Sequence, residues 1–268
     1  MVAEAHRRWD RGEITKAFCE KVRDLHGMNW IPGGVSHDLT LRRQADVYGA
    51  ITFDWVHTCL QDGVLTCEAW LMLDSSISNA HLSRADIESF FKSGWNFPKV
   101  QQSKGDALYR VFSDFRLNKD GDFDKIRAQA SELLGLYGLL RHFLECKVPR
   151  TEDMRPQWES FAACCDVMDW ILLVRNRRVS DIREGAAGLR CRMDKFMGLH
   201  MAAYGTAFIK PKHHWLYDVA DHWERDGKVI DCFVIERNHL SIKQCAEPID
   251  NTSRFERSVL SQALNFKL

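Results

Sequence analysis

Residues 124–147 read DKIRAQASELLGLYGLLRHFLECK, and their apolar positions decide the fold class. Ile126, Ala130, Leu133, Leu134, Tyr137, Leu140 and Leu144 recur at the spacing of one helical face, whereas a half-buried strand would alternate. The pattern predicts a helix over 124–147 that packs on neighbours. Pro149 and Pro156 then bracket a turn. Beyond it Trp158, Phe161, Ala162, Cys165, Met168, Leu172 and Leu173 repeat the signal and predict a helix over 157–178, with a third expected over 180–204. Together the three resemble an antiparallel helical bundle.

Toward the N-terminus, Trp9, Phe18, Val22 and Leu25 predict an exposed helix over 3–27, ended by Gly27. Pro32, Gly33 and Gly34 mark a loop over 29–36, and the β-branched and aromatic residues of 48–53 predict a short strand. A buried helix is expected over 63–73, and a further one runs from the cap Ser83 to Gly94. The loop-like stretch 96–122 ends in Asn118-Lys-Asp-Gly-Asp122, which imitates part of a calcium loop. Arg116 and Arg127 stand where calcium needs carboxylates, so the stretch reads as an acidic turn before a helix. Toward the C-terminus a short amphipathic helix leads to Asp226 and Gly227, and the apolar run from Val229 delivers Glu236 and Arg237.

The whole chain has 268 residues, 45% hydrophobic and 28% charged, with 37 basic against 37 acidic side chains. That excludes wholesale disorder and removes the usual electrostatic footprint of a nucleic-acid binder. No apolar run approaches a membrane span, and the charged start does not resemble a signal peptide, so the expected setting is intracellular. Cys19, Cys59, Cys67, Cys146, Cys164, Cys165, Cys191, Cys232 and Cys245 form no Cys-x-x-Cys pair and read mostly as buried, reduced thiols. Arg175, Arg177 and Arg178 read as a solvated helix end that complements the helix dipole. Nucleotide-binding glycine loops and a Gly-x-Ser-x-Gly elbow are absent from the sequence.

Two constellations carry possible chemistry. Asp54 and His57, three residues apart, share a face on a helix or at its start, where a carboxylate can orient an imidazole or simply cap the helix. The second is Lys210-Pro-Lys-His-His-Trp-Leu-Tyr217 with the downstream Glu236 and His239. A carboxylate delivered by an apolar segment needs a partner, and Arg237, Lys243 or a divalent cation would each serve. A metal-dependent hydrolase built on His213, His214, His222 and Glu236 is a further possibility. Adjacent His213 and His214 point differently in any regular element, so at most one joins a shared site.

In order and separation, an Asp-x-x-His motif, a helical stretch, a Lys-Pro-x-x-His block and Glu-Arg resemble the C-terminal part of CACTA-type, Plavaka-like DDE transposases, over residues 15–75 and 205–245. The resemblance implies a mostly α chain: an incomplete ribonuclease H-like core remnant interrupted by an all-helical insertion bundle. The implied division is 1–80 and 209–268 for the core remnant, with the insertion over 81–208. It implies Glu236 as the third catalytic and metal-binding acid, Asp54 and His57 as the signature pair, and DNA as the parent family's partner. Its chemistry is phosphodiester cutting and joining with Mg²⁺ or Mn²⁺, in the nucleus. The first two catalytic Asp are missing, since Asp38 sits in a loop setting, so the chain is expected to be truncated, inactive alone and without tightly bound metal. Asp54–His57 and Glu236 are expected to approach each other. The alternative is a non-catalytic helical module that binds a protein partner through its bundle.

Overall fold

The structure, a computed structural model, describes residues 8–9, 11–18, 21, 40, 52–92, 126 and 128–232. Its helices are α1 (Trp55–Cys59), α2 (Val64–Ser78), α3 (Arg84–Lys92), α4 (Ala130–Lys147), α5 (Arg155–Arg175), α6 (Ile182–Tyr204) and α7 (Pro211–Asp226). All lie in one compact unit, Met1–Ile230, and a second unit spans Asp231–Leu268. Among the described residues there is no strand. None of their helices is long and apolar enough to cross a membrane.

The centre of the unit is α2. Val64, Leu65, Cys67, Ala69, Trp70, Leu71, Met72 and Leu73 are buried all round its axis, the pattern of a helix enclosed by others rather than laid on a surface. Its small polar residues turn inward on the backbone: Thr66 Oγ1 donates to the Gly63 carbonyl at 2.7 Å and Ser76 Oγ to the Met72 carbonyl at 2.6 Å. α2 packs on α5, α5 on α6, and α6 on α7, while α7 also touches α1.

Two glycines of α6 permit the closest of these approaches. A Cβ at Gly185 would lie 2.0 Å from the ring of Trp223, and one at Gly188 would lie 2.8 Å from the ring of Trp170. The indoles of α7 and α5 therefore rest on bare backbone, and Trp170 Nε1 donates to the Gly185 carbonyl at 2.9 Å. Arg190 spans to Asp221 and Glu224 of α7, each at 2.6 Å.

α4 begins at Ala130, six residues after the start that periodicity predicts. Gln129 and Glu132 form a reciprocal cap that fixes the helix start, with the Gln129 N–H donating to Glu132 Oε2 at 2.8 Å. Ile126 is buried as its spacing requires, yet it lies outside the helix and donates its N–H to the Thr66 carbonyl of α2 at 3.1 Å. The bundle is accordingly assembled from α2, α5, α6 and α7 rather than from three consecutive helices. α4 joins it through Tyr137, whose hydroxyl donates to Asp169 Oδ1 at 2.8 Å, and through Arg141, 2.6 Å from Asp169 Oδ2.

The ribonuclease H-like core is corrected by this architecture. Such a core presents its acids from the ends of paired strands, and the described residues pair none. Thr52 and Phe53, at the end of the expected strand 48–53, are not in a strand; residues 48–51 lie outside the described residues. The N–H of Phe53 goes to a histidine side chain, and that of Trp55 to the Ile230 carbonyl at 3.3 Å, so neither enters a ladder. With the sheet go the DDE transposase activity and the metal-dependent catalysis inferred from it.

Candidate functional site

Asp54 is the N-cap of α1. Its Oδ1 accepts the His57 N–H at 3.0 Å, and its Oδ2 lies 2.8 Å from His57 Nδ1. One carboxylate thus closes a backbone donor and orients an imidazole, as residues three apart at a helix start permit. Phe53 just before it stacks on Trp215 of α7 at 4.8 Å between centroids and receives His222 alongside at 6.0 Å. His222 Nδ1 accepts the Phe53 N–H at 3.2 Å. The Asp-x-x-His motif and the helix that begins in the Lys-Pro-x-x-His block are therefore neighbours. Glu236, Arg237, His239 and Lys243 lie outside the described residues, as do Asp38, Arg116, Asn118, Asp120 and Arg127.

The adjacent histidines separate, as neighbours on a helix must. His214 is exposed, whereas His213 is buried and stacks at 6.2 Å on Phe196 of α6. With His222 held at Phe53, the three do not converge on one metal. His213 forms part of a different assembly, which the sequence did not reveal. Glu68 of α2, His200 of α6 and His213 of α7 are all essentially inaccessible, and Glu68 Oε2 lies 2.7 Å from His200 Nδ1. The His200 ring is 5.2 Å from that of His213 and 5.3 Å from that of Tyr204. Burial, reinforced by His200, depresses the His213 pKa to about 4 and keeps the ring neutral. Burial likewise raises the Tyr204 hydroxyl, with Glu68 adding to it. The available signal for this cluster is a single acid, Glu68, inside the otherwise apolar run of α2.

The seven described cysteines are free thiols. Burial raises Cys59 and Cys164 strongly and pushes Cys165 up to about 12, so these three stay protonated thiols.

A cleft with a volume of about 310 Å³ opens between α4 and α5. Trp158, Phe161, Ala162 and Cys165 supply its apolar lining, and side chains of both charge signs line it beside them. Arg155 pairs with Glu152, and Arg141 with Glu145 and Asp169. Arg150 instead lies 5.3 Å above the Trp158 ring and has no ion-pair partner among the described residues. No protein-family model, curated protein or solved structure matches this chain.

Proposed function

We propose that this chain is a non-catalytic helical protein-interaction module whose docking place is the α4–α5 cleft. The observation that carries the proposal is the stacking of Arg150 on Trp158. An aromatic ring, rather than a carboxylate, holds this guanidinium, so its N–H donors stay available to an incoming acid. Other surface arginines, including Arg141, Arg155, Arg190 and Arg192, are already engaged by carboxylates. The apolar lining beside Arg150 suits a large apolar side chain. Trp and Arg are the residue types that concentrate binding energy in small interfaces. The partner is thus a protein segment with an acidic residue next to an apolar anchor. The free thiols support an intracellular, reducing setting.

The test is selection of a random peptide library on the full chain, with counter-selection on Ala162→Arg, which fills the cleft. Peptides pairing Asp or Glu with Leu, Phe or Trp should be enriched, and Arg150→Glu should weaken them by about tenfold or more. Peptides that bind both variants as tightly as the parent chain would remove the cleft as the docking place.

A further inference from the structure

Four polar atoms at the junction of α2, α6 and α7 lie sealed from solvent with no hydrogen-bond partner among the described residues: Glu68 Oε1, His200 Nε2, Tyr204 Oη and His213 Nε2. They are not scattered. Glu68 and His200 are joined by the 2.7 Å contact at their other polar atoms, and the rings of Tyr204 and His213 both lie within 5.3 Å of the His200 ring. Buried polar atoms in native proteins are almost always satisfied, by the protein itself or by an ordered molecule enclosed with them.

The bonds these side chains do make settle what each unpartnered atom requires. His213 Nδ1 accepts the Lys210 N–H at 3.1 Å, within the reciprocal cap that starts α7. A neutral His213 must then carry its proton on Nε2, which is a donor in search of an acceptor. His200 turns Nδ1 toward a carboxylate oxygen, so Nδ1 carries a proton, and in the neutral ring Nε2 then presents a lone pair. Glu68 Oε1 is an acceptor, and the Tyr204 hydroxyl gives and takes one bond.

A cation does not answer all four atoms together. It would need the lone pair of His213 at Nε2, where the proton sits, because the Nδ1 lone pair is committed to the backbone. An anion would meet Glu68. A molecule with two donors and two acceptors matches the demand, and water is the smallest that does.

We propose that this junction is an internal water site, in which one or two ordered waters donate to Glu68 Oε1 and His200 Nε2 and accept from His213 Nε2 and Tyr204 Oη. The water belongs to the fold and links α2 to the consecutive helices α6 and α7, more than a hundred residues further on. It also holds the two histidines in opposite tautomers, which no direct contact between them does.

A crystal structure of the full chain at about 1.5 Å, together with ¹⁵N-histidine NMR in solution, tests the proposal. The expected result is a density peak within about 2.6–3.2 Å of at least three of the four atoms, with His213 protonated at Nε2 and His200 at Nδ1. Zn²⁺ or Mg²⁺ in solution should leave both histidine spectra unchanged. A dry junction in the density, the reverse tautomer at His213, or stoichiometric metal binding at these histidines would each overturn it. Tyr204→Phe should keep the peak while removing one ligand. Loss of the peak in that variant with the helices in place would show that too few partners remain, contrary to the four-point site.

Discussion

The protein contains two carboxylate–imidazole pairs of nearly equal length and unlike character. Asp54 and His57 meet at 2.8 Å, three residues apart, with the histidine side chain 45% exposed. Glu68 and His200 meet at 2.7 Å, 132 residues apart, with both side chains at 0%. Distance alone would rank them equal. In the first pair water competes for every charge, and the contact mainly sets a rotamer while the carboxylate caps a helix. In the second, each partner has surrendered its hydration, and neither can be removed without stranding the other.

Breaking the buried pair should have the largest effect. Glu68→Ala leaves the imidazole of His200 unpaired inside the α2–α6 contact, and an unfolding free energy lower by about 3–5 kcal/mol is expected from urea denaturation. A loss near that of an exposed ion pair would erase the distinction between the two sites.

Acid should separate them next, through the neighbour of the buried pair. The folded His213 value of about 4 lies below its ordinary 6.5, so the unfolded chain binds the extra proton between those values. The stabilisation is fully present above pH 6.5 and is lost as pH falls toward 4, by about 3 kcal/mol in all. Denaturation midpoints measured across that window should decline, and His213→Gln should flatten the decline. An unchanged slope in that variant would mean that other groups carry the acid response.

The smallest effects belong to the exposed pair. Asp54→Ala removes the α1 cap and should cost about 1 kcal/mol, whereas His57→Ala should cost no more than about 0.5 kcal/mol. Thermal melts of the two variants check the order, and equal losses would show that the imidazole contributes as much as the cap.

The same contrast explains what the sequence made visible. Asp54 and His57 are separated by one helical step, so their spacing states that they can meet. The buried helices were legible for the same reason: periodicity predicts 157–178 and 180–204, and the structure has Arg155–Arg175 and Ile182–Tyr204. The bond between Glu68 and His200 leaves no local trace, since it depends on α2 lying between helices that follow it by a hundred residues. Periodicity also places Ile126 correctly in the core while misstating its backbone, because burial and helicity are separate facts. The core sheet was an inference from resemblance, whereas the short strand 48–53 was read from β-branched and aromatic residues, and its described residues, Thr52 and Phe53, show no strand.

The enclosure of α2 over residues 64–73 has a consequence for the order of assembly. A helix buried nearly all round reaches its full burial only when several neighbours surround it, and its contact with α6 closes a loop of 132 residues. The α5–α6 hairpin, by contrast, is joined by a short turn and needs no distant segment. We therefore expect the hairpin to form first and α2 to thread into place late. Pulse-labelled hydrogen exchange should find the amides of α5 and α6 protected before those of α2, and simultaneous protection would argue for a single concerted step. Until α2 is seated, the chain carries its most apolar segment unshielded, so the interval before closure is when it is most prone to associate with other copies.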